Sequence, residues 1–207
     1  MSKFGEQPLS GFLDALASAE PTPGGGTAAA IAGAMGASLL MMVGGLSKSR
    51  AGTESERVAL TEARAALAGI RDRLAGLGDT DADAFNQVMA AYRLPKGTDQ
   101  ERNARKDAIQ QGLKAATIAP LDTLRAASEA LHLARVVAEH GNRSAASDVG
   151  VGIALLEAAA KGAAANVRIN LAGVVDEPFK TSAAADVEAI EKQLREDAAA
   201  ANAAVEV

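Results

Sequence analysis

From Glu20 to Lys48 the chain carries no charged residue at any intervening position, and the run opens EPTPGGGTAAAIAGAMGASLLMM. A helix that long and that apolar has two ways to exist: surrounded by lipid or surrounded by its own protein. Of the 21 residues from Thr27 to Ser47, ten are Ala or Gly, which contribute little transfer energy. The run therefore predicts a central buried helix from about Thr27 to Lys48. Ala29, Gly33 and Ala37 recur every fourth residue, a small-residue stripe that lets another backbone approach closely. Ahead of it, Pro21 and Pro23 stiffen the approach, while Gly24, Gly25 and Gly26 can adopt conformations barred to other residues. Three glycines at a helix start present N–H groups where the dipole is positive, a place for an anion or a polarised carbonyl. They equally serve as a tight turn that permits close packing. No GK[ST] follows, and no strand precedes, so neither a Walker A loop nor a dinucleotide fingerprint is present.

The remaining sequence is punctuated into helices. Aromatic residues make up only 2%, and strand-favouring residues are sparse beside Ala, Leu, Glu, Lys and Arg. The expectation is an all-α, single-domain helical bundle over 1–207 with about eight helices. They run Leu9 to Ala19, Thr27 to Lys48, Glu54 to Leu77 closed by Gly78, Thr80 to Leu94 stopped by Pro95, and Asp99 to Ile118. A sixth starts or kinks at Pro120 and ends at His140-Gly141. A seventh, capped by Ser144 or Ser147, reaches Asn170, and a last one spans Thr181 to Ala204.

Composition excludes several chemistries. The absence of cysteine removes disulfides, thiolate nucleophiles and Cys-ligated zinc. Two histidines without HExxH or a clustered carboxylate argue against a His-ligated metal. His140 before Gly141 reads as a helix C-terminal residue, and His132 among leucines as structural. A net charge of −5 with interspersed signs does not suit nucleic acid, and the N-terminus lacks a signal-peptide apolar run. The chain is expected to be cytoplasmic, with neither membrane nor nucleic acid as partner.

Two helical faces carry polar groups where apolar ones belong. At about 100° per residue, Asp81 shares a stripe with Phe85, Val88 and Tyr92, while Asp83 points nearly opposite. An acid on that face is paired, caps its helix from the first turn, or performs chemistry. Further on, Asn166 lies with Leu155, Ala159 and Ala163, near Asn170. A buried amide must be hydrogen-bonded, and these amides either tie helices together or meet a ligand. Asp148 projects in the same direction but about 27 Å away along the axis.

Five segments occur here in one order: PTPGGGTAAAIAGAMGASLLMMV, DADAFNQVMAAYRLPK, the APL at 119 to 121, GNRSAASDVGVG and GAAANVRINL. Together they resemble the cyclodeaminase/methenyltetrahydrofolate cyclohydrolase family of folate enzymes over roughly Leu9 to Leu171. The resemblance implies an all-helical homodimer that is metal-free in its chemistry, with no tightly bound cofactor and a reduced tetrahydrofolate derivative as substrate. With no formiminotransferase domain in this sequence, it points to a stand-alone methenyltetrahydrofolate cyclohydrolase. It assigns Asp81 as general base and acid. Gly24 to Gly26 would hold the substrate through N–H groups, and Lys96 would face its glutamate tail. Asn142, Asp148 and Asn166 are the other implied binding residues. The chain departs from the GNxN of many relatives at Arg143-Ser144. Two other functions stay open at this point: an ammonia lyase closing 5-formiminotetrahydrofolate, and a helical dimer without enzymatic activity.

Overall fold

A computed structural model describes residues 3–206. Six α-helices follow a 3-10 turn at Phe4–Glu6: α1 (Leu9–Ala17), α2 (Gly25–Gly45), α3 (Glu54–Tyr92), α4 (Asp99–His140), α5 (Ala146–Leu171) and α6 (Glu177–Val205). A second 3-10 turn, Arg143–Ala145, precedes α5. No strand occurs among the described residues, so the all-α class holds, with six helices in place of about eight.

The two missing breaks have physical causes. Gly78 is buried inside α3, where Thr27 and Ile31 of α2 lie close to its bare Cα. A glycine there ends nothing; it lets α2 approach. Pro120 sits inside α4 and cannot donate the bond that the Ala116 carbonyl would otherwise accept. Asn170 of α5 donates its side-chain amide to that carbonyl at 2.5 Å, so the helix continues without an orphaned acceptor.

The helix starts obey local rules. Thr53 and Thr98 each form a reciprocal capping box, with Glu56 and Glu101 respectively. Asp176 accepts from the Phe179 N–H and starts α6 four residues before the expected Thr181, with Pro178 in its first turn. Ser144 and Ser147 do not cap α5; Asn142 accepts from the Ser144 N–H and caps the preceding turn instead.

Helices α2 to α5 form an antiparallel ring, each packed on the next, with α5 returning to α2. The α6 helix runs along α4 in the same direction, tied by Lys114 to Asp176 and Arg125 to Asp186, and bonds α5 through Arg168 and Glu191. The α2–α5 seam is made of small residues. A side chain at Gly36 would come within 2.7 Å of the Gly152 carbonyl, and one at Gly33 would meet Ala159 and Leu74 at 3.2 Å. The closest approach therefore falls at Gly36, one position off the predicted stripe. The α2 helix is long and apolar enough to cross a membrane by length and composition. Its Ala30, Ala37, Leu40 and Val43 are fully buried among the other helices.

Helices α3 and α4, at roughly 58 and 63 Å, are about twice as long as α2. Their joined ends project beyond the ring as a two-helix arm around Ala84, Val88 and Ala116. Tyr92, expected on the buried stripe, lies at the arm's end, half exposed, with the Arg105 guanidinium over its ring.

Candidate active site

Because α3 runs unbroken from Glu54, Asp81 stands deep inside a helix and not in a first turn. It cannot cap its own helix. Its side chain instead faces the N-terminus of α2. Gly24 is the N-cap there, and the first intrahelical bond runs from Ala28 N–H to the Gly24 carbonyl. The N–H groups before it have no intrahelical partner, and that of Thr27 bonds the Asp81 carboxyl. The fit is tight: a Cβ on Gly26 would lie 2.6 Å from Asp81 Cγ. No residue larger than glycine fits at position 26 with Asp81 in this position.

Thr27, fully buried, completes the contact. Its hydroxyl lies 3.2 Å from the Gly78 carbonyl and 3.3 Å from Asp81 Oδ2. Burial pushes the Asp81 carboxyl above the ordinary carboxylate range, against the opposing pull of the Thr27 hydroxyl and N–H. The neighbouring acids are employed otherwise. Asp79 accepts from the Phe4 N–H at 2.8 Å, pinning the N-terminal segment, and Asp83 is exposed.

Asn166 reaches the same place from α5. A side chain at Gly25 would meet its amide nitrogen at 3.9 Å, and that nitrogen donates to the Gly162 carbonyl one turn back. The structure thus brings together Gly24, Gly25, Gly26, Asp81 and Asn166. Lys96 is exposed in the turn at the arm's end, more than 16 Å along α3 from Asp81 but on the same side of the ring. Asn142 and Asp148 are not part of this cluster. Asn142 donates to the Ser47 carbonyl at 2.6 Å, which places it, with Asp148 nearby on α5, at the opposite end of α2. Among the described residues no three His, Asp or Glu side chains converge as a metal site requires.

With this arrangement of helix N-terminus, buried acid and amide in hand, known proteins supply its relatives. A model of the formiminotransferase-cyclodeaminase family matches residues 8–189. The chain belongs to that family. A methenyltetrahydrofolate cyclohydrolase of Methylorubrum extorquens is 41% identical over 84% of this chain and 84% of its own. A formimidoyltransferase-cyclodeaminase of Gallus gallus is 37% identical over 84% of this chain but only 32% of its own length. The crystal structure of a formiminotetrahydrofolate cyclodeaminase from Thermotoga maritima superposes with a TM-score of 0.86. It is 29% identical and covers 97% of this chain and 96% of that one.

Within this family member, sequence reasoning missed Thr27 as a site residue. The available signal was a hydroxyl standing directly after the glycines in an otherwise apolar run. Read alone, it is one more helix-start residue; only the approach of α3 gives it two acceptors.

Proposed function

We propose that the protein is a methenyltetrahydrofolate cyclohydrolase, opening 5,10-methenyltetrahydrofolate to 10-formyltetrahydrofolate, with Asp81 as the proton-transfer group. The carrying observation is Asp81 itself: a half-buried carboxyl, raised above its ordinary range, lodged against the glycine-rich start of α2. The methenyl carbon lies between two nitrogens and shares their delocalised positive charge. A carboxylate beside it stabilises that cation and takes a proton as water adds. The water oxygen bonds the carbon, one carbon–nitrogen bond breaks as Asp81 returns its proton to the departing nitrogen, and the hydroxyl's remaining proton leaves to solvent as the neutral formyl group forms. Because the bridge arrives already activated, the proposed chemistry calls on no tightly bound cofactor.

The substrate is long. In this reading its reacting end lies at Asp81, Gly24 to Gly26 and Asn166, and its anionic tail extends along the arm toward Lys96. A cytoplasmic homodimer completes it. The outward face of α2 exposes Met35 and Met42, with Leu46 just past its end, and that of α5 exposes Val151 and Ile169, an apolar surface suited to a second copy. A two-fold axis setting α2 antiparallel to its mate would carry the partner's Asn142 and Asp148 end to this chain's Asp81 end.

Loss of methenyl absorbance on adding enzyme tests the reaction, and Asp81→Asn should lower it at least about 100-fold while leaving the helical fold intact. An Asn variant within tenfold of wild type overturns the assignment. The fold match to a cyclodeaminase keeps one second reading in the same assay, closure of 5-formiminotetrahydrofolate. Ammonia release from that compound, without methenyl hydrolysis, would favour it.

A further inference from the structure

Among the described residues, three polar side chains are fully or almost fully buried: Thr27, Thr117 and Thr123. Thr117 and Thr123 donate to carbonyls four residues back in their own helix, those of Leu113 and Ala119, the ordinary destination of a helical hydroxyl. Thr27 alone reaches across to another helix. Its single hydrogen has two acceptors in range, the Gly78 carbonyl and Asp81 Oδ2, and it can serve one at a time.

We propose that Thr27 is a positioning residue for the proton-transfer step. Its hydroxyl fixes the orientation of the Asp81 carboxylate, with Gly78 O as the alternate acceptor when Asp81 carries the proton. This rests on the assignment of Asp81 above. While Asp81 is a carboxylate, the hydroxyl donates to Oδ2 and favours the charged form that can accept a proton from water. Once Asp81 is protonated, that bond weakens and the hydrogen turns to Gly78 O, so no buried donor is stranded in either half of the cycle. No covalent bond of Thr27 forms or breaks.

The surroundings leave this task to Thr27. The α2 helix carries no charge. The α5 helix presents neutral Asn166 at this end; its Lys161 and Arg168 are exposed, and Arg168 is bound to Glu191. On α3, Asp79 is bound to the Phe4 N–H and Asp83 is exposed. The N-terminal turn adds the exposed Lys3 and Glu6.

The test compares Thr27→Val, which keeps the shape and removes the hydroxyl, with Thr27→Ser, which keeps the hydroxyl, and with Asp81→Asn, all in the full chain. Thr27→Val should lower kcat roughly 10- to 100-fold, as misplacement of a catalytic group does, with KM changed about twofold or less. It should also move the acid limb of the pH profile upward. Thr27→Ser should keep both near wild type. Unchanged kcat and pH profile in Thr27→Val, or a serine variant as slow as the valine one, overturns the proposal. Should Thr27→Val fail to fold, 13C NMR titration of the Asp81 carboxyl in Thr27→Ala decides: an unshifted titration overturns the proposal, and an upward shift supports it. If Asp81→Asn retains turnover, the reading of Asp81 fails first; if it is dead while Thr27→Val is normal, only the role of Thr27 fails.

Discussion

At the N-terminus of α2 the helix meets a half-buried carboxyl group from α3, whereas at its C-terminus it runs into a web of ordinary caps. There, Asn142 donates to the Ser47 carbonyl. Arg50 donates through its backbone to the His140 carbonyl at 2.9 Å and through its guanidinium to that of Ala138. These bonds satisfy the Ser47 carbonyl just past α2 and the last carbonyls of α4 with neutral amides and a cation, groups suited to helix C-termini. The other end satisfies N–H groups with an acid that burial makes costly to ionise. One end of the helix abuts bonds that fix the neighbouring segments in place. The other retains an acid whose charged form burial disfavours, as reactive sites do.

Four experiments break or sharpen that contrast. The largest effect belongs to Asp81→Asn, expected to reduce turnover about 10²- to 10⁴-fold, measured by the fall in methenyl absorbance; activity within tenfold of wild type would make the acid a mere cap. Next is a pair of glycines on one helix. Gly26→Ala drives a methyl group into the Asp81 carboxyl and should cost about 1–3 kcal/mol, as overpacking does, together with most activity. Gly45→Ala meets only the flexible Arg64 side chain, nearest at 2.9 Å, and should change stability by less than about 1 kcal/mol. Chemical denaturation measures both, and equal losses would erase the distinction between the ends.

The third experiment concerns pH. Asp81 binds its proton more tightly folded than unfolded. Its contribution to stability is therefore fully present below the unfolded value and is lost as pH rises through the raised folded value. At neutral pH, Asp81→Asn should consequently melt higher than wild type, by roughly 2–4 °C per kcal/mol relieved, with the gap closing as pH falls below 4. A variant less stable at neutral pH would show that capping α2 outweighs the burial of the charge. The smallest effect is expected from Asn142→Ala, a lost cap worth about 1 kcal/mol, seen as a lowered Tm.

Much of the fold was legible because the signals were local. The helix starts at Glu54 and Asp99, the stop at Pro95, and the end of α4 at His140 are fixed by groups a few residues apart. Gly78 and Pro120 misled for the opposite reason. Each looks like a break in its own segment, and each is tolerated through a distant partner, Ile31 and Thr27 in one case and Asn170 in the other. The same division runs through the site. Helical spacing separates Asp81 from Asp83, and the glycines announce an unusual helix start. The distance of Asp148 from Asn166 followed from helix length alone, but that the acid and the glycines meet needed the register of α2 against α3 and α5.

The amino-acid order by itself determined an all-helical chain with an uncharged, small-residue helix inside it, because helix propensity, capping and charge avoidance act over a few residues. Only the tertiary structure decided how many helices there are and what the inward-facing acid meets. A broken hydrogen bond or an ionisable group takes its energy from whatever packs against it, and in this protein those partners lie about 50 residues away along the chain.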